Sequence, residues 1–88
     1  MLETQTMGRF KTHFKQRLLE KSAREGERIS LRDAAKATGL SLGTLARWNR
    51  DEVIRLEPEV IDTLLKYLGC SFEELVEYVP DEAHEEVS

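Results

Sequence analysis

The chain contains one cysteine, two histidines and no long apolar run among its 88 residues. A single thiol, Cys70, excludes an intrachain disulfide framework and suits a reducing compartment, so we expect a cytoplasmic protein. No stretch approaches the roughly 18 apolar residues of a membrane-spanning helix. Met1 is followed by polar residues, where a signal peptide would have an apolar segment. We therefore expect no contact with a membrane.

The chain also lacks a pattern of residues that predicts catalysis or metal binding. His13 and His84 are far apart in sequence, and neither has a partner at the spacing of metal ligands. Cys70 follows a glycine that is predicted to end a helix and precedes a predicted helix cap, which favours a structural thiol over a nucleophile. The sequence thus predicts no enzyme, no metal site and no cofactor.

What the chain has in abundance is charge, and the two signs are segregated. Residues 1–50 carry 11 Lys and Arg against 5 Asp and Glu, a balance of +6. Residues 51–88 carry 2 against 12, a balance of −10, so the net charge is −4. Because the local field governs binding to phosphates, this asymmetry indicates a polyanionic partner for the basic half.

The stretch from Ser30 to Arg50, SLRDAAKATGLSLGTLARWNR, predicts two short helices joined by a tight turn. Ser30 and Asp33 can form a short capping box for the first helix. Gly39 lies where a left-handed residue would end it, and Ser41 can cap the second helix. This arrangement is typical of the helix-turn-helix, whose second helix enters the major groove of DNA. The alternative is an ordinary helix pair in a small bundle.

Apolar periodicity and caps predict five short helices around one core, an all-α fold. The first helix should begin near Arg9 or Phe10, with Phe10, Phe14 and Leu18 on a buried stripe that Leu19 and Ala23 widen. A fourth helix should begin at Pro58, and a fifth should follow Ser71 and direct Phe72, Leu75, Val76 and Val79 inward. In the connection between helices three and four, Val53 and Leu56, or Ile54, should reach the core. Residues 1–8 are predicted to be a flexible arm, 9–79 the folded domain and 80–88 a disordered acidic tail.

Residues 29–79 resemble the Cro/C1-type helix-turn-helix family, also called the XRE family of transcriptional regulators. The motifs that carry the resemblance are A-x-x-T-G-L-S, then T-L-x-R-W, then L-x-x-L-G-C-S with a following E-x-L. The resemblance implies a compact five-helix, lambda-repressor-like domain that binds double-stranded DNA, commonly as a homodimer. Many relatives have glutamine at the start of the recognition helix, whereas this chain has Leu42 and Gly43. The usual E-N-G after the aromatic residue is Asn49-Arg50-Asp51 here.

The helix-turn-helix interpretation assigns candidate DNA contacts to two groups of residues. Candidates for reading base edges lie at the start and on the outer face of the second helix: Ser41, Leu42, Gly43, Thr44 and Arg47. Candidates for binding phosphates flank them: Arg32, Lys36, Arg50 and Arg55. Arginine matches the paired acceptors of guanine, so Arg47 is the main candidate for base reading, with a phosphate contact or an ion pair to Asp51 as the alternatives.

Three functions remain open at this stage, and one of them is nonspecific DNA packaging, which would show binding indifferent to sequence. The first is a transcription regulator that recognises a short DNA site. The second is a protein-interaction module, an antitoxin or adaptor, that binds a basic protein partner through its acidic C-terminal half. A dimer, if one forms, is expected to use an apolar patch comprising Phe72, Val76, Tyr78 and Val79.

Overall fold

Two short strands and five helices follow one another in the computed structural model, which describes residues 9–80. In chain order they are β1 (Arg9–Thr12), α1 (Phe14–Glu25), α2 (Leu31–Thr38), α3 (Leu42–Asn49), α4 (Pro58–Leu68), α5 (Phe72–Leu75) and β2 (Val76–Val79). The predicted arm, residues 1–8, and residues 81–88 of the predicted tail lie outside the described residues. Within residues 9–80, every helix is too short or too polar to cross a membrane.

The predicted helix boundaries in the middle of the chain are confirmed because they depend on local hydrogen bonds. The Ser30 hydroxyl accepts from the Asp33 N–H and the Asp33 carboxylate accepts from the Ser30 N–H, which completes the capping box of α2. Ser71 and Glu74 form the same arrangement at α5. Pro58 is the first residue of α4, where its missing N–H leaves no intrahelical bond unmade.

The predicted start of the first helix is wrong, because residues 9–12 form a strand. β1 pairs antiparallel with β2, and Arg9 is opposite Val79 while Thr12 is opposite Val76. The His13 N–H donates to the Leu75 carbonyl at 2.8 Å, which continues the link between the two ends of the domain. The all-α expectation therefore holds for the helices but not for this two-stranded sheet.

The fifth helix is shorter than the sequence pattern predicts. It is a single turn that ends at Leu75, and valines at 76 and 79 continue as the strand that β-branched residues favour. Leu75 and Val76 are buried, as expected, but Phe72 is 42 % exposed. Val76 therefore belongs to the core and not to an exposed dimerisation patch.

The core lies where the five helices meet. Its buried apolar members are Phe14, Leu18, Ala34, Leu45, Trp48, Leu64, Leu68, Leu75 and Val76. On α1 the buried stripe is narrower than predicted, because Leu19 is 62 % exposed and Ala23 is exposed as well. In the connection before α4, Val53 and Leu56 pack against the core as one of the two predicted arrangements requires, and Ile54 does not.

Candidate nucleic-acid interface

The turn between α2 and α3 is held by its own side chains. Gly39 adopts a left-handed conformation with φ of 80° and donates its N–H to the Ala35 carbonyl, which ends α2. The Thr38 hydroxyl donates to the Ala34 carbonyl at 2.7 Å and accepts from the Leu40 N–H at 3.2 Å. These bonds fix the direction in which the chain enters α3.

The inner face of α3 fixes which side chains point outward. Leu45 is fully buried and Trp48 nearly so, three residues apart on one face, and both belong to the core. Ala34 of α2 is also fully buried, so its small side chain faces the core. Leu42, Gly43 and Arg47 are exposed as a result, and Thr44 is half-buried at the edge of the outer face.

The two hydroxyl groups at the start of α3 differ in their capacity to bind a ligand. The Ser41 hydroxyl caps the helix by accepting from the Thr44 N–H at 3.1 Å, and it donates to the Thr44 hydroxyl at 2.9 Å. Its donor is therefore occupied within the protein. The Thr44 hydroxyl accepts that bond and keeps its own proton for an external acceptor. Thr44 is thus the better hydrogen-bond donor of the two predicted residues.

The first turn of α3 is open to close approach from outside. Apart from its chain neighbours and the backbone of α3 itself, a β-carbon built on Gly43 would meet no protein atom within 4 Å. The first turn also carries no acidic residue, so its free N–H groups face solvent without a competing carboxylate. The first turn of α2 does contain a carboxylate, because Asp33 completes the capping box there. The N-terminus of α3 is therefore the better anion-binding end of the two.

Arg47 and Arg55 line one groove between α3 and the loop that follows it. The groove has a volume of about 280 Å³, and its lining includes Thr44, Trp48, Val53, Ile54, Glu52 and Glu57. Ile54 is 88 % exposed beside the two arginines. Sequence reasoning did not assign Ile54 to the site, since adjacent apolar residues in an irregular loop give no period that indicates which one faces outward.

The other predicted phosphate-binding residues, Arg32, Lys36 and Arg50, are exposed and do not line this groove. Arg32 and Lys36 stand one turn apart on α2. Arg50 caps α3 and pairs with Glu52 at 3.1 Å, and both side chains are more than half exposed. An exposed pair of this kind is weak and exchanges readily for a phosphate.

The alternative role for Arg47, an ion pair with Asp51, is wrong. Asp51 instead accepts from the Thr12 N–H at 2.7 Å and pairs with Arg9 at 3.3 Å, both on β1. Among residues 9–80, Arg47 forms no salt bridge within 4.0 Å. Its guanidinium is therefore available to a ligand on the outer face.

The pKa values of Asp33 and Cys70 are shifted in opposite directions. The pKa of Asp33 is lowered because its carboxylate accepts a hydrogen bond from the Ser30 N–H, with further contributions from the Ser30 hydroxyl and the nearby charge of Lys36. Burial raises the pKa of the Cys70 thiol, and the carboxylate of Glu74 raises it further.

Within residues 9–80, no three His, Cys, Asp or Glu side chains form a group that could hold a metal ion.

Comparison with known families gives one match. The model of the Cro/C1-type HTH DNA-binding domain matches residues 24–81, about two thirds of the chain. The matched range begins at the end of α1 and contains the helix-turn-helix, α4, α5 and β2, whereas β1 and most of α1 precede it. No curated protein and no solved structure matches the chain significantly.

Proposed function

We propose that this chain, which belongs to the Cro/C1-type helix-turn-helix family of DNA-binding domains, is a transcription regulator that recognises a short DNA site by inserting α3 into the major groove. One observation carries the proposal. The buried pair Leu45 and Trp48 anchors α3 to the core, and Arg47 and Thr44 consequently face outward with free hydrogen-bonding groups. An α-helix presented in this way fits the width of the major groove.

Base reading is assigned to the first two turns of α3. Arg47 donates two parallel hydrogen bonds to a guanine, and Thr44 donates its free hydroxyl proton to a neighbouring base or phosphate. Gly43 allows the helix backbone to lie close to the base edges, and Leu42 offers an apolar contact for a thymine methyl. Ser41 acts mainly as the cap that holds this end of the helix together.

Ile54 adds an apolar contact that the sequence alone did not assign. Its side chain is almost fully exposed, which offers no gain in stability, and it lies beside Arg47 and Arg55. Apolar side chains in such positions pack against thymine methyl groups or sugars. The variant Ile54→Ser should weaken binding to selected duplexes, whereas Leu19→Ser, on an exposed leucine of α1 outside this groove, should not.

Phosphate binding is assigned to Arg32 and Lys36 on one side and to Arg50 and Arg55 on the other. The N–H groups at the start of α3 add a neutral anion-binding element. If these contacts neutralise about four phosphates per half-site, the logarithm of the association constant should fall against the logarithm of salt concentration with a slope near −4.

The experiment that tests the proposal is a selection from a random duplex library with the whole chain as bait. Enrichment of a defined sequence, and loss of retention when Arg32, Arg47 and Arg55 are together changed to glutamine, would support it. The matched control is Lys66→Gln, which removes an exposed charge from α4 where Lys66 pairs with Asp62 at 3.1 Å. The DNA-binding proposal would be contradicted if the association constant did not depend on salt concentration. It would also be contradicted if the triple variant retained DNA as well as the unmodified chain.

We also propose that two copies bind a two-fold symmetric site as a homodimer, the arrangement that pairs half-sites in helix-turn-helix regulators. Phe72 and Tyr78 are exposed by 42 % and 58 % near the end of the domain and offer apolar surface for it. Sedimentation at micromolar concentration without DNA tests this. A monomer, or a dimer that Phe72→Ser and Tyr78→Ser leave intact, would count against it.

The second candidate function is binding of a basic protein partner through the acidic half. Glu57, Glu59 and Glu73 are exposed there and supply the charge such a partner requires. Retention of a partner by the variant that lacks Arg32, Arg47 and Arg55 would support this function, because those arginines lie in the basic half or the DNA-facing groove.

A further inference from the structure

Asp51, two residues after the last residue of α3, has a backbone conformation that is rare for residues other than glycine. Its φ is 62°, and among residues 9–80 it is the one residue other than glycine with a positive φ. This left-handed conformation brings the β-carbon of an L-residue close to its own carbonyl, so most residue types avoid it. Asp is one of the few other residue types that tolerate it, so the contacts of the Asp51 carboxylate decide what this turn does.

The groups that hold Asp51 belong to β1, almost forty residues earlier in the chain. The Thr12 N–H donates to one oxygen of the Asp51 carboxylate at 2.7 Å, and the Arg9 guanidinium donates to the other at 3.3 Å. The Thr12 hydroxyl donates to the Trp48 carbonyl at 2.8 Å in a buried position. Thr12 therefore binds the C-terminal end of α3 twice, once through its backbone and once through its side chain.

The backbone N–H groups of this turn also make the last hydrogen bonds to carbonyl groups of α3. The Asp51 N–H donates to the Trp48 carbonyl at 3.2 Å, and the Glu52 N–H donates to the Arg47 carbonyl at 2.9 Å. The backbone of Arg47, the main base-reading candidate, is thereby fixed by the same turn that β1 holds. The bonds form one connected path from Thr12 through Asp51 and Glu52 to Arg47.

We infer that Asp51 and Thr12 are positioning residues, which lock the C-terminal end of α3 to the sheet so that Arg47 enters the major groove in a single orientation. This inference rests on the proposed function, because it concerns how that site reads sequence. Neither residue contacts DNA. Without these hydrogen bonds, α3 samples several orientations relative to the sheet. Affinity for the correct site is then multiplied by the fraction of time that α3 spends in the binding orientation.

The inference is testable because electrostatics alone predicts an opposite change in DNA affinity when Asp51 is replaced. Removing an acidic residue near a DNA-binding face should strengthen binding to every duplex. Removing a positioning residue should weaken binding to the correct duplex and leave binding to other duplexes unchanged or slightly stronger. The comparison needs two probes: a duplex obtained by selection from a random library, and a mixed-sequence duplex of the same length.

Asp51→Gly is the main variant, because glycine accepts the left-handed conformation but removes both acceptor oxygens. We expect its affinity for the selected duplex to fall about threefold to tenfold, the equivalent of about one hydrogen bond, with no loss on the mixed-sequence duplex. Asp51→Asn keeps an acceptor for the Thr12 N–H and also tolerates the left-handed region, so it should stay within about twofold of the unmodified chain.

Thr12→Val tests the second bond without altering shape or the strand. It removes the hydroxyl, while the Trp48 carbonyl keeps its bond from the Asp51 N–H. We expect the same loss on the selected duplex, of about threefold to tenfold. The matched control is Thr63→Val on α4, which also removes a hydroxyl that donates to a backbone carbonyl, that of Glu59 at 2.9 Å. Thermal unfolding of each variant establishes that it is folded at the assay temperature.

Two results would overturn the inference. One is that Asp51→Gly binds the selected duplex as tightly as the unmodified chain or more tightly. The other is that Asp51→Asn loses as much as Asp51→Gly, since the acceptor that Asn keeps for the Thr12 N–H would then not be what positions α3.

A measurement on the free protein separates this inference from the proposed function. Amide hydrogen exchange at Thr12 and Glu52 should be faster in Asp51→Gly and unchanged in Asp51→Asn. If the unmodified chain retains no duplex at all, the proposed function fails, and this exchange measurement still decides whether the lock exists. Exchange that Asp51→Gly leaves unchanged would exclude the lock, whatever the chain binds.

Discussion

Replacing Gly43 with alanine separates the stability of α3 from its fit to DNA. Gly43 is the second residue of the helix, its backbone is helical and its φ is not positive. The added methyl group would meet no protein atom within 4 Å other than those of its chain neighbours and of the α3 backbone. The protein itself therefore gives no steric reason for glycine at this position.

The expected gain in stability follows from the helical conformation. Alanine is favoured over glycine by about 0.8–1 kcal/mol in a helix interior, and we take about half of that in the first turn, where fewer intrahelical bonds form. For a domain of this size, about 0.5 kcal/mol raises the unfolding temperature by about 2–4 °C.

The expected effect on DNA binding has the opposite sign. If the backbone at Gly43 lies against base edges, the methyl group pushes the helix outward and lengthens the hydrogen bonds of Arg47. Loss of one bidentate contact corresponds to about 1–3 kcal/mol, so affinity for a selected duplex should fall by about fivefold to 150-fold.

Circular dichroism on heating and titration of a fluorescently labelled duplex measure the two effects separately. The control is Ala37→Gly on α2, which should lower the unfolding temperature and leave affinity unchanged because Ala37 faces the groove beside α4. Undiminished affinity of Gly43→Ala for the selected duplex would refute close approach at this residue. A lower unfolding temperature for Gly43→Ala would refute the argument that the added methyl group is accommodated without a steric clash.

Three further predictions concern named side chains. Arg47→Ala should weaken binding to the selected duplex by about fivefold to 150-fold and relax selection at one base pair, as a repeated selection would show, whereas unaltered selectivity would assign Arg47 to a phosphate. Leu45→Ala should lower the free energy of unfolding by about 2–5 kcal/mol in denaturant titration because Leu45 is fully buried, and Leu42→Ala, on the exposed face, should change it by less than about 0.5 kcal/mol. The pKa of Asp33 is lowered by the capping box, so its contribution to stability is present above its ordinary value of 3.8 and is lost as pH falls through the lowered value. The difference in unfolding temperature between the unmodified chain and Asp33→Ala should therefore shrink in acid, and a difference independent of pH would contradict that cause.

The central helix-turn-helix was predictable because its determinants are local. Ser30, Gly39 and Ser41 each act on atoms within a few residues of themselves, so their spacing in the sequence fixes where α2 and α3 begin and end. Leu45 and Trp48 stand three residues apart in the sequence, a spacing that places both on one face of a helix, and both are buried. The family resemblance drawn from these motifs is confirmed by the match over residues 24–81.

The tertiary structure alone decided the features that join distant parts of the chain. Residues 9–12 look like the start of an amphipathic helix until Val76–Val79 pairs with them, and that partner lies too far along the sequence for local periodicity to indicate it. The same pairing brings Thr12 to Asp51. Packing of the loop likewise chose Val53 over Ile54 for the core. Caps and turns are local hydrogen bonds that a sequence records directly, whereas strand pairing and loop packing depend on which distant surfaces meet once the helices have formed.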